Sequence, residues 1–135
     1  MTGQDLVDEA RSWLGTPFRK CVPVKGLGCD CAGLLLACAQ AVGLSDGAMP
    51  RYSQPVHPEQ VFAYLQQHLE HVCGEAYAGD VVLLQFSGQA IHLGLTTAEG
   101  TLIHSWERAG CVVEHAYDAF WQEHTAAVYR WRGLY

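Results

Sequence analysis

The chain is poor in positive charge. Its 135 residues carry eight Lys and Arg against fourteen Asp and Glu, a net charge of -6. The eight never gather into a basic run, which argues against a nucleic-acid-binding surface. Long apolar runs are also missing. "AGLLLACAQAVGL" and "DVVLLQF" fall short of the roughly 20 residues a bilayer-spanning helix needs, so no membrane span is expected. The start, "MTGQDLVDEARSW", is acidic and amphipathic rather than a basic and then apolar secretory signal. The expectation is a chain made in the cytoplasm. Repeats, low-complexity stretches and linkers are absent too, so a single domain over residues 1–135 is expected. Half of the residues are hydrophobic and 16% are charged, which excludes a disordered acidic tail.

Six cysteines are present. Without an export signal, reduced thiols are expected rather than a disulfide framework. Cys38, Cys73, Cys111 and Cys21 lie in or beside apolar stretches and read as buried small hydrophobes. The roles of Cys21 and Cys29, including a bridge between them on oxidation, stay open.

The order of elements gives a fold class. Leu6, Ala10, Trp13 and Leu14 recur at helical spacing in "QDLVDEARSWLG", and Gly15 and Pro17 stop that helix. "TPFRKCVPVKGLG" reads as an irregular loop. Asp30 fits an N-cap before a helix from Cys31 to Val42 that is apolar nearly all round, hence central. Pro58 opens a third helix with Val61, Phe62, Leu65, Leu69 and Val72 on its apolar face. Strands then follow: "GDVVLLQF", "AIHLGLTT", "TLIHSW", "GCVVEHAY" and "AAVYRWR", with a short helix or turn at "DAFWQ". Helices first and strands afterwards predict an α+β fold with an antiparallel sheet.

One cysteine stands where a nucleophile is made. Unpaired N–H groups and the dipole at a helix N-terminus lower a thiol pKa, and Cys31 holds that place if Asp30 is the cap. The Cys31 backbone N–H would then serve an oxyanion hole. Ala32 and Gly33 are small enough to let a carbonyl approach. Zinc is a poor alternative for Cys29 and Cys31, because their spacing is C-x-C and no second pair exists. No metal or cofactor is expected.

The turn "TTAEGT" places two histidines. A three-residue loop, Ala98-Glu99-Gly100, puts the glycine at the left-handed position. Thr97 then pairs with Thr101, Gly94 with His104 and His92 with Trp106. His92 and His104 become diagonal neighbours on one face, about 7–8 Å apart by Cα. Gly94 is expected to leave open space beside them. A one-residue slip would send His104 to the other face. His57, His68, His71, His115 and His124 read as surface or core histidines, and His68 with His71 as a helical pair lacking a full ligand set.

These residues carry a resemblance. "ARSWLGTPF", "GCDCAGL", "AGDVVLLQF", "IHLGLTT", "LIHSW" and "AAVYRWRG" occur in the order and spacing of NlpC/p60-type cysteine peptidases. The chain most resembles the phage and prophage cell-wall branch. The resemblance implies a papain-like fold and hydrolysis of amides in peptidoglycan stem peptides, at the bond between γ-D-glutamyl and a diamino acid. It implies Cys31 as nucleophile, His92 as general base and His104 as orienting residue. Phe18, Gly33, Gly94 and Trp106 are expected to line the substrate site. Phage tail proteins are expected partners, with a virion, tail or secretion apparatus as the route to the wall. Phe18 replaces the family's usual Tyr, and Ala32 its usual Ser. Two other functions are compatible with the residues: a tail assembly protein with little activity, and a thiol amidase or acyltransferase on a non-murein substrate.

Overall fold

The computed structural model describes residues 2–20, 23–44, 58–86 and 91–134. In chain order these form α1 (Gly3–Arg11), β1 (Pro23–Val24), β2 (Gly28–Cys29), α2 (Cys31–Ala41), α3 (Pro58–His68) and β3 (Leu69–Val72). Then come β4 (Val81–Gln85), β5 (Ile91–Thr96), β6 (Thr101–Trp106), β7 (Cys111–Ala116), α4 (Ala119–Glu123) and β8 (Thr125–Trp131). Six strands make one sheet in the order β3-β8-β4-β5-β6-β7, antiparallel throughout. The expected α+β class with an antiparallel sheet is what the chain adopts. Among the described residues no helix is long and apolar enough to cross a membrane.

Both faces of the sheet are covered, which explains why "VVLL" in β4 does not alternate. On one face Leu6, Val7 and Ala10 of α1 and Leu34, Leu35, Cys38 and Ala39 of α2 pack on Val81, Leu83, Leu93, Leu95, Ile103 and Val112. On the other, Val82, Leu84 and Leu102 meet Trp121 of α4. Leu34, fully buried in the first core, is worth about 1.5–3 kcal/mol in burial alone. The first turn of α1 is closed by a capping box between Thr2 and Asp5. That turn lies so close to residues 78–79 that a Cβ on Gly3 would stand 1.9 Å from the Ala78 carbonyl oxygen.

Several expectations need correction. The third helix stops at His68, and Leu69 and Val72 belong to β3, paired with β8. An edge strand gains its hydrogen bonds from a partner some sixty residues away, which helical spacing cannot reveal. His68 and His71 are therefore not one turn apart on a helix. Phe62 is exposed. Cys73 is also exposed, because the chain leaves the sheet after Val72. Part of the expected loop before the nucleophile is the small antiparallel pair β1-β2. Cys21, His57 and the expected loop over 45–57 lie outside the described residues.

Candidate active site

The segment before α2 is held from three sides. Residues 17 and 18 bridge to Cys111 and Cys29. The Phe18 N–H donates to the Gly110 carbonyl at 2.9 Å, and the Cys29 N–H to Pro17 at 3.0 Å. The buried Ser105 hydroxyl of β6 donates to the Cys29 carbonyl at 2.7 Å. Asp30 follows in extended backbone, and its carboxylate accepts from the Gly33 N–H at 2.7 Å as the N-cap of α2. Cys31 is the first residue of the helix. Gly33 is buried with its N–H committed to Asp30.

Cys31 is partly exposed as a residue, but its sulfur sits among protein atoms. Burial pushes its thiol up to about 11. The Leu93 N–H opposes this, the Asp30 carboxylate adds to it, and the N–H groups of Ala32 and Cys31 oppose it. The expected lowering by the helix mouth is thus outweighed, because desolvation disfavours the thiolate more than three N–H dipoles favour it. Cys29, fully buried, is likewise raised to about 11, first by burial. Cys29, Cys31, Cys38, Cys73 and Cys111 are all free thiols. Among the described residues no group of three or more His, Cys, Asp and Glu is disposed to hold a metal ion.

The histidines meet on the other side of β5. Leu95 pairs with Ile103, Thr96 with Leu102, and the Thr97 N–H with the Thr101 carbonyl, the register that the three-residue turn requires. Gly100 closes it at φ +76. His92 Nε2 lies 2.5 Å from His104 Nδ1. The thiol of Cys31 touches the N–H of Leu93, the residue after His92, which places sulfur and imidazole on adjoining sides of one strand end. Among the described residues no hydrogen bond joins the two, a common looseness in a site without substrate. Burial pushes His92 down to about 4. His104, completely buried, is pushed down further, by burial first and then by His92 and His115. The resting pair is therefore a neutral thiol beside a neutral imidazole.

Other expected positions divide. Trp106 is partly exposed and stacks on His104 with centroids 5.4 Å apart. Phe18 is partly exposed and bridges Cys29, two residues before Cys31 in the chain. Gly94 leaves no open space: it is buried, and a Cβ there would lie 2.6 Å from Leu102 Cδ1. Sequence reasoning missed Ser105 and His115. His115 Nε2 lies 2.7 Å from His104 Nε2. A four-residue turn over 107–110 would have paired His104 with Val113, as observed, and brought His115 to the same face.

Comparison with known proteins identifies the family. The profile of the NlpC/P60 family matches residues 12–130. A probable endopeptidase of Corynebacterium glutamicum is 32% identical over 123 residues, covering 87% of this chain and 49% of that protein. The chain thus spans about half the length of the curated relatives it matches. An NlpC/P60 family protein from Bacillus cereus superposes with a TM-score of 0.73 at 20% identity, over 97% of this chain and 40% of that one. The peptidoglycan hydrolase RipB from Mycobacterium tuberculosis gives 0.68 at 19%, over 95% and 63%. With a family match over most of its length and a relative above 30% identity, the chain belongs to the NlpC/P60 family.

Proposed function

We propose that the domain is a cysteine peptidase that cleaves amide bonds of peptidoglycan stem peptides, at the γ-D-glutamyl–diamino acid bond. The observation that carries this reading is Cys31 at a capped helix mouth, against the strand end bearing His92, whose ring is bonded to His104. The names of the related endopeptidase and peptidoglycan hydrolase support the substrate class. Delivery by a phage tail or virion is part of the reading and rests on sequence resemblance alone.

Because both resting groups are neutral, the proton must move as the bond forms. The Cys31 Sγ–H proton passes to His92 Nδ1 while Sγ adds to the amide carbonyl carbon. The Cys31 N–H meets the developing oxyanion. The carbon–nitrogen bond then breaks, and the amine leaves with the proton from His92, giving a thioester. Water adds to the thioester carbon while His92 takes its proton; the carbon–sulfur bond then breaks, the sulfur takes that proton from His92, and the carboxylic acid leaves. The imidazolium that forms midway sits beside His104, which holds its ring.

The test is digestion of purified peptidoglycan by wild type and Cys31→Ala, with fragments weighed. Wild type should release fragments cut at the γ-D-glutamyl bond, and Cys31→Ala should release none. Equal release by both would end the proposal. Intact peptidoglycan beside a hydrolysed simple amide would move the reading to a non-murein substrate.

A further inference from the structure

We propose that His115 is a positioning residue which, through a chain of three imidazole rings ending on the Ala116 carbonyl, fixes the proton of His92 on Nε2 and leaves Nδ1 as its base. The proposal rests on the reading of Cys31 and His92 as the reacting pair. His115 Nδ1 lies 3.0 Å from the Ala116 carbonyl oxygen. A carbonyl only accepts, so Nδ1 carries the proton and a singly protonated His115 has a lone pair at Nε2. His104 must then donate from its Nε2 across 2.7 Å, which leaves its Nδ1 bare. His92 must in turn donate from Nε2 across 2.5 Å. Its Nδ1 is left as the lone pair that accepts the thiol proton.

Each ring has one proton and one lone pair, so the choice at one end decides the other. The rings are confined rather than free to flip. Trp121 of α4 packs on His104 and His115 with centroids 5.1 and 4.8 Å away. Trp106 closes the other side at 5.4 and 6.1 Å. The titratable group facing His115 from β6 is His104, and α4 presents the uncharged Trp121. The neighbouring Glu114 is bound instead to Arg11 and Thr101. A second proton on His115 would make its Nε2 a donor. The chain would then run backwards, with a proton on His92 Nδ1 and no base beside the thiol.

The experiment uses the full chain labelled with nitrogen-15, and two-bond proton–nitrogen spectra of the imidazoles. Wild type should show His92 protonated at Nε2 alone. His115→Gln keeps an acceptor for His104 and should keep that tautomer. His115→Phe removes the acceptor and should give a mixture, while His115→Lys, which only donates, should move the proton to Nδ1. Alkylation of Cys31 by iodoacetamide at pH 7, followed by peptide mass, gives the second readout. The Gln variant should stay within about threefold of wild type. The Phe and Lys variants should slow by about tenfold or more, given that general-base assistance is worth roughly 10²–10⁴-fold. A wild-type His92 protonated at Nδ1 overturns the proposal, whether or not the variants fold. So does a Phe or Lys variant that folds and keeps both the wild-type tautomer and the wild-type rate. Neither readout involves peptidoglycan, so a wrong substrate leaves them standing.

Discussion

Substituting Asp30 separates two effects that its carboxylate exerts together, on the helix and on the thiol. Asp30→Ala removes the oxygen that accepts from Gly33 N–H at 2.7 Å in a residue only 4% exposed. Loss of an N-cap costs about 0.5–2 kcal/mol, and the burial of this one argues for the upper end. With a urea dependence of about 1.5 kcal/mol/M, the unfolding midpoint should fall by about 1 M. Asp30→Asn keeps an oxygen in place and should cost less than about 0.5 kcal/mol. Both variants remove the negative charge that helps hold the Cys31 thiol near 11. In both, therefore, the thiol should titrate at lower pH. The assays are urea unfolding followed by tryptophan fluorescence, with Trp13, Trp121 and Trp131 buried as reporters, and Cys31 alkylation against pH. If Asn proved as destabilising as Ala, the cap would act through charge rather than through its hydrogen bond. If neither variant lowered the thiol pKa, the stated influence of Asp30 on the sulfur would be refuted.

Three further outcomes follow from contacts already described. Arg130 binds Asp80 through two 2.8 Å bonds, and Asp80 is wholly buried; Arg130→Ala, which leaves that carboxylate the Tyr77 N–H in place of its cation, should cost about 3 kcal/mol by urea unfolding, the lower end for a broken buried pair. Ser105→Ala should cost about 0.5–1.5 kcal/mol and slow Cys31 alkylation, because the Cys29 carbonyl, two residues before the nucleophile, loses one of its two donors and keeps only the Arg19 N–H. His92 is held neutral down to about 4 when folded but takes a proton near 6.5 when unfolded. Its contribution to stability is therefore present above pH 6.5 and shrinks by about 3 kcal/mol as pH falls to 4. Urea midpoints compared at pH 7 and 4 should show this drop in wild type and a smaller one in His92→Gln.

The parts legible in the sequence were those settled by near neighbours. Gly100 in a three-residue turn is enough to set the β5-β6 register, and that register alone brings His92 to His104. Asp30 before an apolar run marks where α2 begins. Features decided by distant packing were harder. Gly94 suggested space, but Leu102 from the next strand fills it. Leu69 and Val72 kept the helical spacing of Leu65, yet β8 draws them into the sheet. The thiol pKa depends on how much protein surrounds the sulfur, and helix position alone does not report that. His115 needed a second turn, over 107–110, to be read with the same care as the first.

A thiol held near 11 has a consequence for the lifetime of the protein. Peroxides and similar oxidants consume the thiolate, and at pH 7 only about one molecule in 10⁴ would carry it. Oxidation of the resting sulfur is slowed in proportion to that fraction. Its nucleophilicity then depends on the imidazole taking its proton. Burial at this site works as a preservative, trading resting reactivity for endurance between encounters with substrate.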